Sequence, residues 1–114
     1  MSTAPADDTF RRYTAALERD FRTSHHVSDY AAALGYSPRT LTRATLAATG
    51  TTAEQYLDAR VLLEAKRLLV HTDATAADIS RALGFAEPTD FAKFFRKRER
   101  RTPLEFRAAA RGQT

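Results

Sequence analysis

TAEQYLDARVLLEAKRLLVH, residues 52 to 71, decides how this 114-residue chain folds. The stretch holds neither Gly nor Pro and is rich in Ala, Leu, Glu and Arg, all good helix formers. Thr51 or Thr52 can cap its start, and Glu54 falls in the first turn, where the helix dipole favours a negative charge. Its apolar residues are too many for one narrow stripe. Tyr56, Leu63 and Val70 lie a heptad apart, while Leu57, Val61, Leu68 and Leu69 make an overlapping second face. A helix that buries two faces touches two bodies. The segment is therefore expected to be a rigid rod between two small helical bundles.

Working outward, the flanks repeat one another. Leu34-Gly35-Tyr36 recurs as Leu83-Gly84-Phe85, and Pro38-Arg39-Thr40-Leu41-Thr42-Arg43 as Pro88-Thr89-Asp90-Phe91-Ala92-Lys93. Thr52-Ala53-Glu54-Gln55-Tyr56 recurs as Thr102-Pro103-Leu104-Glu105-Phe106. Each copy reads as a short helix, a Gly turn and a second helix, which is a helix-turn-helix. Pro38 and Pro88 open the second helices and Gly50 closes the first of them. Ala31, Leu34, Tyr36 and Leu41 supply the packing of the first copy; Ser80, Leu83, Phe85 and Phe91 supply that of the second. Phe91, Phe94 and Phe95 are expected in the core rather than as a stacking platform. Helices are also expected over residues 8–22, with Phe10, Tyr13, Leu17 and Phe21 on one face, from Val27 or Ser28 to Leu34 with Ser28 as cap, over 75–83 behind Thr75, and from Thr102-Pro103 to residue 111. No alternating strand pattern occurs. The expected fold is all-α: seven helices forming two helix-turn-helix subdomains joined by a long linker helix. The expected plan is a disordered tail over 1–7, a first subdomain over 8–51, the linker over 52–72 and a second subdomain over 73–111.

The charge distribution points to a partner. The net charge is +4, yet Lys93, Arg96, Lys97, Arg98, Arg100, Arg101, Arg107 and Arg111 against Glu99 and Glu105 give a local +6. The rest of the chain is slightly acidic, so the basicity is a patch suited to a polyanion. The outward faces of the two second helices carry Arg39, Thr40, Thr42, Arg43 and then Leu46 and Ala47 in one copy, and Thr89, Asp90, Lys93, Arg96 and Lys97 in the other. A helix in the major groove reads bases with its N-terminal turns and touches phosphates along its flanks. Arg43 and Lys93 hold equivalent places and are the first candidates for guanine or phosphate, followed by Arg39 and Thr89. Arg96, Lys97, Arg100 and Arg101 suit sequence-independent phosphate contacts. Asp90 leaves two readings open: an acceptor for cytosine N4, or a helix N-terminal charge that never reaches DNA. The rod, at roughly 1.5 Å per residue, extends about 30 Å, close to the roughly 34 Å of one B-DNA turn.

The second half, RVLLEAKRLLVHTDATAADISRALGFAEPTDFAKFFRKRERRTPLEFR, resembles the signature of the AraC/XylS family of bacterial transcription regulators. Arg60, Glu64, Ala65, Leu68, Leu69, Thr72, Ile79, Ala82, Gly84, Phe85, Phe91, Phe95, Thr102, Pro103 and Arg107 carry the likeness. Ser37, Leu41, Arg43, Gly50 and Tyr56-Leu57 extend it to the first copy, so that it covers residues 8–110. The resemblance implies two recognition helices, about 38–49 and 88–98, entering successive major-groove segments of double-stranded DNA, with RNA polymerase as a second partner. Two departures stand out. Family members usually carry Gly after the second reading helix, where this chain has Glu99-Arg100. Many members also carry a β-rich effector or dimerisation domain, and no stretch of this chain reads as one; it is expected to be a stand-alone short member or a cut-out domain.

Other classes find little support. There is no Cys, and His25, His26 and His71 are scattered without metal-ligand spacing. No catalytic set or Gly-rich phosphate loop occurs, so neither enzyme activity nor a cofactor is expected. No run reaches the roughly 18 apolar residues of a membrane span, and a cytoplasmic location is expected. Arg60 and Glu64 are expected to pair along the rod. A helical protein-interaction module and an RNA-binding module are the alternatives to a DNA-binding regulator.

Overall fold

The computed structural model describes residues 5–112. Among them are seven helices and no strand: α1 (Pro5–Asp20), α2 (Val27–Leu34), α3 (Pro38–Thr49), α4 (Ala53–His71), α5 (Ala76–Ala82), α6 (Pro88–Glu99) and α7 (Pro103–Ala110). Of the tail expected over residues 1–7, the first four lie outside the described residues, and α1 starts at Pro5. None of the described helices is long and apolar enough to cross a membrane. The chain divides into two compact units, Met1–Arg60 and Val61–Thr114, so the division falls inside α4.

The helix starts follow from side chains that satisfy the free backbone N–H groups of a first turn. Thr52 and Gln55 exchange bonds at the start of α4: the Gln55 N–H donates to the Thr52 hydroxyl at 3.0 Å, and the Thr52 N–H to Gln55 Oε1 at 2.9 Å. Thr75 with Asp78 and Thr102 with Glu105 make the same reciprocal box on α5 and α7. Ser37 caps α3 by accepting from the Thr40 N–H at 3.1 Å. Before α2 the capping position is His26, without a side-chain bond, in place of the expected Ser28.

In the first unit, Tyr13 and Leu17 of α1 and Phe21 just beyond it are buried, as are Tyr30, Ala31, Leu41, Ala44, Ala53 and Leu57. The Tyr13 hydroxyl donates to the Ala53 carbonyl at 2.7 Å, which ties α1 to the first turn of α4. Burial pushes its pKa far above the usual tyrosine value. The Tyr30 hydroxyl, pushed up to about 12 mainly by burial, donates to the Ser24 carbonyl at 2.8 Å. Arg60 lies 4.2 Å over the Phe21 ring and grips Glu18 through both Nε and Nη2, at 2.6 and 3.2 Å. Glu64 receives Arg67 in a two-bond pair at 3.0 and 2.6 Å.

In the second unit, Val61, Ala65, Leu69, Ile79, Leu83, Phe91, Phe95 and Pro103 are buried. Phe95 stands edge-on to Phe106 at 5.6 Å between ring centres. The fully buried residues of α4 are Ala53, Leu57, Val61, Ala65 and Leu69, one at every fourth place, joined by Glu64. The heptad face read through Tyr56, Leu63 and Val70 does not form: Leu63 is 61% exposed, and the other two are half-buried. Heptad spacing tracks a face only where one partner runs the length of a helix; here two units each take part of it.

Candidate nucleic-acid interface

The two helix-turn-helix motifs are built alike to the level of single bonds. The Tyr36 N–H donates to the Ala31 carbonyl at 2.9 Å, and the Phe85 N–H to the Ser80 carbonyl at 3.0 Å. Both bonds need the chain to reverse through the left-handed region, and Gly35 and Gly84 do so at φ 79° and 82°. Ala31 and Ser80, both about 1% exposed, are the small residues at the helix crossing. Leu41 and Phe91 anchor the second helix of each motif, at 0% and 1% exposure. Phe95 is likewise buried, whereas Phe94 is half-buried against Phe85 and carries Arg98 4.0 Å above its ring.

With those anchors turned inward, α3 and α6 present their other faces to solvent. Arg39 and Arg43 are exposed on α3, together with Leu46 and Ala47. Thr42 is half-buried, and so is Thr40, whose hydroxyl lies 2.9 Å from the Ser37 hydroxyl. On α6, Thr89, Asp90, Lys93, Arg96 and Lys97 are all exposed. Arg43 and Lys93 each lie two residues after the apolar anchor of their helix, so the two cations hold the same place in both motifs.

The basic patch splits once its partners are visible. Arg107 is half-buried and donates to three carbonyls at and beyond the end of α4: Leu69 at 2.8 Å, Thr72 at 3.1 Å and Ala74 at 2.6 Å. It neutralises the carbonyl end of that helix. Arg111 adds bonds to the Thr72 carbonyl at 2.6 Å and to Asp73 at 3.2 Å. Arg101, also expected as a phosphate contact, donates to Glu99 at 3.0 Å and lies 5.1 Å over the Phe106 ring, with its side chain 43% exposed. The partners of Arg107 and Arg111, more than 30 residues away, leave no trace in local spacing. Arg100 stays exposed and takes φ 66°, the left-handed turn that ends α6. A non-glycine residue therefore fills the place where the resemblance to the AraC/XylS family leads to the expectation of Gly.

This is the architecture of a double helix-turn-helix DNA-binding domain. A family profile described as "Helix-turn-helix domain" matches residues 30–109. The HTH-type transcriptional activator RhaS of Enterobacter sp. (strain 638) is 33% identical over 101 residues, which is 89% of this chain and 36% of that protein. Among solved structures, the DNA-binding domain of AdpA in complex with a target DNA is 28% identical, with a TM-score of 0.76 and 96% of each chain covered. An AraC-type regulator from Chromobacterium violaceum is 26% identical, with a TM-score of 0.77 over 95% of this chain and 96% of that one. The chain belongs to the AraC/XylS family, as a DNA-binding domain of that family. It spans about a third of the length of the curated relatives it matches.

Proposed function

We propose that the chain binds double-stranded DNA sequence-specifically as a transcription regulator, with α3 and α6 entering successive segments of the major groove. The observation that carries this reading is the duplication: one motif made twice, with Arg43 and Lys93 exposed at the same place in each. Arg43 and Lys93 contact guanine or the adjacent phosphate. Arg39, Thr40, Thr42, Thr89 and Asp90 complete the base-facing set, and Arg96 and Lys97 hold phosphates. Leu46, 45% exposed on α3, suits a thymine methyl. The working division is a first subdomain over 8–51, a linker over 52–72 and a second subdomain over 73–111. RNA polymerase is the second partner in this reading, since RhaS is a transcriptional activator, and the cytoplasm is the location.

Selection from random duplex DNA with this chain as bait tests the proposal. It predicts enrichment of one site with two conserved segments about one turn apart. Preference for A-form RNA would favour an RNA-binding module, and salt-independent behaviour without nucleic acid a protein-interaction module.

A further inference from the structure

We infer that Asp90 is a specificity-determining residue that accepts a hydrogen bond from the N4 amino group of a cytosine in the half-site read by α6. This rests on the reading of α6 as a recognition helix and deepens it.

Three helices of the second unit carry an acid at the third helical position, and two of those acids have a structural task. The Thr75 N–H donates to Asp78 at 3.3 Å, and the Thr102 N–H to Glu105 at 2.8 Å. The threonine hydroxyls take the return bonds from Asp78 and Glu105 at 3.0 and 3.1 Å. On α6 the capping position is Glu87, and its side chain makes no cap bond. Asp90 stands exposed in that first turn. At the matching place in α3, Thr40 is half-buried with its hydroxyl against Ser37. The acid of α6 is therefore presented outward, where its counterpart turns back on its own cap.

Asp90 lies three residues before the exposed Lys93, which puts the two on one side of the helix. These are the N-terminal turns with which a recognition helix meets base edges. An ionised carboxylate only accepts hydrogen bonds, so guanine and thymine, whose polar major-groove atoms are acceptors, repel it. The donors on offer are cytosine N4 and adenine N6. Adenine sets its N7 lone pair beside N6, whereas cytosine sets a C–H beside N4. A carboxylate therefore favours cytosine, and Lys93 next to it offsets the cost of bringing a negative charge to a polyanion.

The test starts from the duplex selected by the full chain and measures binding by Asp90→Ala and Asp90→Asn, with thermal unfolding as a control for folding. At one cytosine of the α6 half-site, any other base should weaken the parent on the order of tenfold. N4-methylcytosine at that place still pairs but puts a methyl group where the major-groove N–H was, and it should weaken the parent equally. Asp90→Ala should bind the cytosine and N4-methylcytosine duplexes alike. Asp90→Asn should move the preference toward adenine, which an amide reads through N6 and N7. A folded Asp90→Ala that keeps the full cytosine preference overturns the inference and leaves the DNA-binding reading intact. A parent that selects no sequence overturns both.

Discussion

The Lys66 ammonium lies 2.6 Å from a carboxylate oxygen of Glu99, joining α4 to the last residue of the second reading helix. Glu99 also receives Arg101, and its side chain is only 16% exposed. The bond from Lys66, then that from Arg101, holds the Glu99 carboxyl below the usual range. An acid whose pKa is lowered by folding stabilises the protein above its unfolded value, about 4.3, and that contribution fades as pH falls through the lower folded value. At neutral pH Glu99→Gln should lose about 1.5–3 kcal/mol of stability, the range for bonds to charged groups. Thermal unfolding from pH 7 to pH 3 should show the gap between parent and variant closing below about pH 4.3. A gap that stays constant to pH 3 would mean the pair does not stabilise the fold.

Arg100 ends α6 at φ 66° with a side chain that disfavours this conformation. The left-handed region costs a non-glycine residue roughly 1–2 kcal/mol, while a glycine loses about 0.4–1 kcal/mol through its freer unfolded chain. Arg100→Gly should therefore stabilise the protein by about 0.5–1 kcal/mol, read as a higher urea midpoint at unchanged slope. A lower midpoint would show that the Arg100 side chain holds something the glycine cannot replace.

The division of the basic patch separates stability from DNA affinity. Arg107→Ala should cost about 2–3 kcal/mol by stripping charged donors from the carbonyls beyond α4. Any folded fraction should keep the parent's dependence of DNA affinity on salt. Replacing Lys93, Arg96 and Lys97 should do the reverse, flattening the slope of log affinity against log salt by up to about 0.9 per lost phosphate contact. Arg101→Ala should leave that slope unchanged. A slope that flattens with Arg101 would return it to the phosphate set.

Arg43→Ala and Lys93→Ala should each weaken the selected site by about 1–3 kcal/mol and relax preference at one position. Uniform weakening across all sequences would reassign the residue to phosphate.

Much of the fold was legible because its signals are local. Pro38, Pro88 and Pro103 each open a helix, and Thr75 and Thr102 each cap one, where the sequence places them. The repeat aligns Gly35 with Gly84, and both take the left-handed turn. What local pattern could not show is which distant group answers a charge. Arg60 finds Glu18 across 42 residues, and Arg107 finds Leu69 across 38. Arg101 faces the neighbouring Glu99, yet the purpose of that pair depends on Lys66 from another helix. The exposed candidates on α3 and α6 were readable because their anchors, Leu41 and Phe91, fix which side turns inward.

Half-site spacing tests the paired binding mode most directly. The selected duplex is compared with one carrying five extra base pairs between its two conserved segments, half a turn of DNA. Two similar reading helices engaging one site predict a loss of about tenfold or more, since half a turn of added DNA brings the second segment to the opposite side of the duplex. Insertion without effect would mean that the two motifs do not read one site together, and the proposed mode of binding would be wrong.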